Sequence, residues 1–234
     1  MITKIGSVGK GREQLVYRQF RVERKGFLSI VSYAIDGFAH RFDMMHRGHA
    51  VAVLPVDFRT REIYMLSEVR PNKPFATLDR GRAWLRKVFA DAFTAKDEAF
   101  TVNAHQARIY EVPAGMIDVD PKTGEPNETP EEAAVRELRE ETGLVVGTDC
   151  LMAIPPYFTS AGGSTELVHA FIASLPEGHL ASRAPAGGDG SEEMDILKMS
   201  WEDAYDLLAA GDIETASTRL LLYKLEIIDV KERK

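Results

Sequence analysis

The chain has 234 residues, 44% of them hydrophobic, enough to bury the core of one large domain or of a domain with a small accessory. Its formal charge of −7, from 36 acidic against 29 basic residues, argues against a general nucleic-acid binder and suits an enzyme that uses cations. The single cysteine, Cys150, excludes an intrachain disulfide and the common multi-cysteine zinc sites, which fits a reducing cytoplasm. No apolar run approaches the roughly 18 residues of a membrane span, and charges from Lys4 onward leave no signal-peptide apolar region.

Residues 14–45 read as strands. Val16, Arg18, Phe20, Val22 and Arg24 share one face by alternation, residues 27–35 form a second β-rich run, and Asp36-Gly37 is a hairpin turn into residues 38–42. Such a sheet of about three strands needs a further surface to pack against, either the rest of the chain or a second subunit. Residues 49–56 and 62–69 form a richly apolar pair suited to the centre of a mixed sheet. The stretch 71–105 interrupts this rhythm as an insertion. Within it, residues 80–93 carry Trp84, Val88, Phe89 and Ala92 at helical spacing, a packing helix or a basic lid.

A strand at 107–112 leads into Pro113-Ala114-Gly115, and residues 145–154, 157–160 and 167–174 resume the β pattern. Residues 175–193 are a Pro- and Gly-rich loop, long enough to suspect a functional role, and 194–199 is a short strand. Ser200 caps a helix over 201–210, with Asp203 completing a capping box and Gly211 ending it. Ser217 opens a last helix with Leu220, Leu221, Leu225 and Ile228 as its core stripe. Strands mixed with helices imply an α/β fold of α/β/α layers.

The chemistry concentrates in a helix between these strands. Thr129 is its N-cap, Pro130 its first residue, Glu132 the return half of a capping box and Gly143 its stop. At 3.6 residues per turn Glu137 and Glu141 stack, with Glu140 on the same side, while Val135, Leu138 and Thr142 turn to a core and Glu132, Arg136 and Arg139 point elsewhere. Like charges at this spacing repel by about 0.2–0.5 kcal/mol per pair. A hard divalent cation with oxygen ligands would reverse the sign. From spacing alone, a solvated acidic face with Arg136 paired to Glu140 is the simpler alternative.

The wider pattern separates the two. Glu128, seven residues, then Arg136-Glu137-Leu138-x-Glu140-Glu141-x-Gly143-Leu144 resembles the Nudix box, whose opening glycine corresponds to Gly115. Twelve residues separate Gly115 from Glu128 against five in the signature, so residues 118–126 form an enlarged loop. Outside the box, His46-Arg47-Gly48-His49-Ala50, Glu68-Val69-Arg70 and the strand from Tyr110 to Gly115 resemble the ADP-ribose and nucleotide-sugar pyrophosphatases of that family. So do Tyr157 to Glu166, reading YFTSAGGSTE, the acidic run from Ser191 to Ile196, and the helices after Trp201. Ala161 stands where the subgroup's loop has proline, and Met194 replaces one acidic position.

The resemblance implies a Nudix α/β/α sandwich over residues 46–234, plus an N-terminal antiparallel sheet over 1–45 that forms a homodimer. It implies hydrolysis of the diphosphate of ADP-ribose or a related nucleoside diphosphate sugar. Mg2+ or Mn2+ would be held by Glu137, Glu141 and the Ala114 carbonyl, with Glu140 as a shared or outer ligand. Arg70 and Arg47 would clamp the diphosphate, and Glu192, by preference over Glu193, would take the proton. Glu111 and Glu166 are candidate substrate contacts, with ordinary surface carboxylates as the alternative. Glu128 and Arg136 are expected to support the box from within, and His46 and His49 to make local hydrogen bonds. The competing readings are a GDP-mannose or other nucleotide-sugar pyrophosphatase and, from another class, an inactive ligand-binding regulator. Such a regulator is expected to lose box glutamates that this chain keeps.

Overall fold

The computed structural model describes residues 17–24, 29–35, 42–70, 73–78, 104–179 and 194–232. The helix expected over 80–93, the Asp36-Gly37 turn and both Glu192 and Glu193 lie outside these residues. The chain divides into two compact units.

One unit holds an antiparallel sheet of β1 (Tyr17–Arg24), β2 (Ser29–Ile35) and β3 (Phe42–His46), in that order, together with residues Phe158–Glu166. Of the strand expected over 38–42, residues 38–41 lie outside the described residues; the described strand runs on from Phe42 to His46. β2 pairs with it from Tyr33↔Phe42 to Ser29↔His46, and the segment after residue 162 extends the pairing. Met45 N–H donates to the Gly163 carbonyl at 2.8 Å, and the Met45 carbonyl accepts from Thr165 N–H at 3.0 Å.

The other unit is built on a seven-stranded mixed sheet. Its path runs β10 (Met194–Ser200), β5 (Glu62–Val69), β4 (Ala50–Asp57), β9 (Leu167–Ser174), β8 (Leu151–Phe158). β4 and β9 run parallel through the middle, and β4 is buried from Val51 to Asp57. Burial on both faces explains the unbroken apolar run. Alternation sorts its side chains. Ala52, Leu54 and Val56 join Val168, Ala170 and Ile172 against Trp201, Ala204, Leu221, Leu222 and Leu225. Val51 and Val53 join Phe171 and Ala173 against Ala133, Ala134 and Leu138. Period two along the strands therefore creates two cores, and helices must cover both. The box helix α2 (Pro130–Thr142) covers one; α3 (Trp201–Ala210) and α4 (Ala216–Glu232) cover the other. A short α1 (Lys73–Thr77) follows β5.

Several boundaries differ from the sequence reading. Residues 145–150 are not a strand, and β8 runs without a break through Pro155-Pro156. β8 ends the sheet path, and an edge strand tolerates residues that cannot donate to the ladder. In α4, Leu220 faces solvent and Leu222 takes its place in the core. Arg61, the one non-glycine with positive φ (58°) among the described residues, turns the chain from β4 into β5. Its guanidinium donates to both oxygens of buried Asp229 (2.7 and 3.1 Å) and lies 4.2 Å from the Trp201 ring, tying that turn to α3 and α4.

Candidate active site

The site lies where β4 and β5 separate. They pair only at Val56↔Ile63 and Asp57↔Glu62. Beyond that, β5 pairs with β6 (Arg108–Glu111) and β4 with β7 (Ala114–Met116), so the chain passes from one side of the fork to the other at Val112-Pro113. Proline suits the crossing because it has no N–H to satisfy, and its carbonyl still accepts from Val53 N–H at 2.9 Å.

α2 is fixed behind this fork by the caps that the sequence specifies. Thr129 accepts from Glu132 N–H, Glu132 accepts from Thr129 N–H at 2.7 Å, and Gly143 closes the helix at φ 72°. The enlarged loop does not disturb this start. Asp120 N–H donates to the Glu125 carbonyl, Val119 bridges Pro126, and Asn127 N–H returns to the Asp118 carbonyl at 2.8 Å. The extra residues thus close on themselves as a hairpin, while Asp118 N–H donates to Glu128 at 2.9 Å.

Arg136 points into the box and not away from it. It donates to Glu128 (3.1 and 2.6 Å), Glu137 (2.8 Å), Glu140 (3.2 Å) and the Met116 carbonyl (3.0 Å), locking α2 to β7. The Glu128 bond, with the neighbouring carboxylates, raises the Arg136 pKa further, and Arg136 in turn lowers that of Glu128. Glu140 sits on the rim, its side chain 38% exposed.

Glu137 and Glu141 are half-buried on the inner side. A Cβ added at Gly115 would lie 1.8 Å from Glu137 Oε1, so only glycine lets the carboxylate rest against β7. Glu141 accepts from Ala114 N–H at 3.0 Å. Burial first, then the charge of Glu137, push its carboxyl up to about 9, and Glu68 and Glu111 act in the same direction. Burial also raises Glu137, opposed by Arg136.

Arg70 completes the cluster. Its Nε and Nη2 donate to Glu111 Oε1 at 2.8 and 2.7 Å, and Nη2 meets Glu68 Oε2 at 2.8 Å. Glu68 and Glu111 are 3% and 7% exposed, which overturns the surface-carboxylate alternative for Glu111. Glu166 is buried too, but it belongs to the other compact unit, where it pairs with Arg47 at 3.1 Å and accepts from Thr159 at 2.8 Å. His46 bonds Thr165 there at 2.7 Å, and His49 faces His169 at 3.5 Å in the sheet unit. The chain re-enters the sheet after Glu192 and Glu193 at Met194, opposite Glu68.

These donors suit a hard divalent cation. Glu137 and Glu141 are half-buried carboxylates whose mutual repulsion is relieved by a proton or a positive charge. Among the described residues no three histidine, cysteine or acidic side chains already converge as a metal cluster. Glu137 is turned towards Arg136 and Glu141 towards the Ala114 amide. Helical spacing picked out these two glutamates and the family resemblance picked out Arg70, but neither gave Glu68 a role. The available signal was a carboxylate two residues before Arg70 near the end of the mostly apolar strand β5.

Three α/β/α layers, a split sheet and a carboxylate helix behind a glycine strand define the class. A family model described as "NUDIX domain" matches residues 93–219, more than half of the chain, and the chain belongs to the Nudix family. It is similar to GDP-mannose pyrophosphatase of Enterobacter sp. (strain 638), 35% identical over 121 residues, or 51% of this chain and 56% of that protein. The Salmonella typhimurium GDP-mannose pyrophosphatase is 35% identical over 127 residues, covering 53% and 60%. That of Escherichia coli O1:K1 / APEC is 32% identical over 128 residues, covering 54% and 60%. The chain therefore spans less than two thirds of these relatives' length.

Proposed function

We propose that the protein is a metal-dependent Nudix pyrophosphohydrolase that cleaves the diphosphate of a nucleoside diphosphate sugar. For ADP-ribose, water enters at one phosphorus and the bridging P–O bond breaks, giving AMP and ribose 5-phosphate. The observation that carries this reading is the half-buried pair Glu137 and Glu141 set against Ala114-Gly115, with Arg70 beside it. The names of the curated relatives support a second substrate, GDP-mannose, on the same chemistry.

Glu137, Glu141 and the Ala114 carbonyl would hold Mg2+ or Mn2+, with Glu140 as an outer ligand. The ion supplies charge neutralisation for the diphosphate and acidifies a bound water. Arg70 binds phosphate oxygens as a charged donor, which positions the reacting phosphorus. Glu192, in preference to Glu193, accepts the proton of the attacking water on its carboxylate. Entry of the chain into β10 beside Glu68 supports a base from that segment. Glu111 orients Arg70, Glu166 orients Arg47, and the N-terminal sheet joins two copies as a homodimer.

The test is mononucleotide release from ADP-ribose, GDP-mannose, UDP-glucose and dinucleotides with Mg2+ and Mn2+. Turnover of at least one nucleotide sugar, abolished by a chelator, is expected. No turnover of any diphosphate with either metal would overturn the reading in favour of a ligand-binding protein. Preference for GDP-mannose over ADP-ribose would select the second substrate.

A further inference from the structure

We infer that Glu68 is a positioning residue for Arg70, holding its guanidinium through a covered ion pair so that it can meet a diphosphate. The inference rests on the proposed site and adds a residue to it.

A lone arginine beside four carboxylates would be drawn towards whichever is nearest. Here the guanidinium is fixed from one side. Glu111 takes Nε and Nη2 through a single oxygen, and Glu68 takes Nη2 through Oε2. Glu68 and Glu111 side chains are 4% and 10% exposed, whereas that of Arg70 is 37% exposed. The guanidinium is thus held by two covered carboxylates, while the arginine side chain as a whole stays partly open to solvent. A flat five-donor fork held along one edge offers its remaining donors in a fixed direction, the condition for recognising a phosphate by paired N–H bonds.

Backbone structure fixes Glu68 in turn. It sits in β5 between β6 and β10, opposite Ile109 on one side and Met194 on the other. Arg70 N–H donates to the Ala107 carbonyl at 2.8 Å, so the strand end that carries both residues is itself anchored. Glu111 alone would leave the guanidinium free to pivot about its one shared oxygen; the second carboxylate removes that freedom.

Two conservative variants separate reach from charge. Glu68→Gln keeps an oxygen at the same reach and removes the charge. Glu68→Asp keeps the charge and withdraws the carboxylate by one methylene. For the nucleotide sugar the parent turns over, Glu68→Asp is expected to raise KM about tenfold with kcat within about twofold, the signature of lost ground-state binding. Glu68→Gln is expected to raise KM by about tenfold as well, since a neutral acceptor makes a weaker bond to the guanidinium than a carboxylate does. Binding of inorganic pyrophosphate without metal, by calorimetry, should weaken in both variants. An Asp variant with parental KM and pyrophosphate affinity would overturn the inference. So would a Gln variant with parental KM and pyrophosphate affinity. If the parent hydrolyses no diphosphate, the proposed function fails, while the pyrophosphate series still decides the role of Glu68. A parent that binds no pyrophosphate overturns the inference directly.

Discussion

Glu141 carries the largest electrostatic strain of the site's carboxylates. Burial and Glu137 push its carboxyl up to about 9 from an ordinary 4.5, so the metal-free folded chain keeps a proton that the unfolded chain releases. The sign follows from proton counting: its contribution to stability is full below 4.5 and is lost as pH rises through about 9. Replacing Glu141 with Gln removes this loss. In metal-free buffer the parent's urea midpoint should fall relative to that of Glu141→Gln as pH rises across this window, and Glu141→Gln should lower kcat by orders of magnitude with metal present. Midpoints that run parallel with pH would refute the burial argument, and near-parental activity would refute the metal assignment. At this scale the stacking of Glu137 and Glu141 was legible from helical geometry, and their metal role from the resemblance to the Nudix box. Glu68 was not legible, because a single carboxylate in an apolar strand shows its partner only when β6 brings Glu111 beside Arg70.

Helices with sequence-encoded ends formed where expected, because their caps are local. Thr129, Glu132 and Gly143 satisfy the end groups of α2 from within its own stretch. Ser200 and Gly211 do the same for α3. Strands were placed less well, since their ends depend on partners elsewhere. β3 extends to His46 because residues 163–165 pair with it, and β8 crosses two prolines because it lies at the edge. The hairpin inserted before α2 is locally closed as well, and this yields a test. Replacing residues 120–125 by an Asn-Gly turn between the bridged Val119 and Pro126 should leave the bond from Asp118 N–H to Glu128 intact. Stability should change by no more than about 1 kcal/mol, and hydrolysis should persist. Loss of activity with the fold retained would show that the hairpin takes part in the site.

The two cores and the forked sheet bring α2, β6 and β7 to one place, although α2 is separated from β5 by the whole 71–105 insertion. No described helix is long and apolar enough to cross a membrane. The homodimer proposed for the N-terminal sheet predicts a solution mass of twice the chain's 26.0 kDa by light scattering, and a mass of one chain at working concentration would contradict it. By itself, the sequence determined what local chemistry can encode: the capped carboxylate helix, the glycine against which it rests, the apolar strands and the membership these motifs announced. Only the tertiary structure decided that Glu68 and Glu111 share Arg70, and that Glu141 is desolvated enough to hold its proton. The physical reason is that ion pairing and desolvation depend on which distant segments share a dry volume. That is set by β4 and β5 parting to admit β6 and β7, and no stretch of this chain encodes it alone.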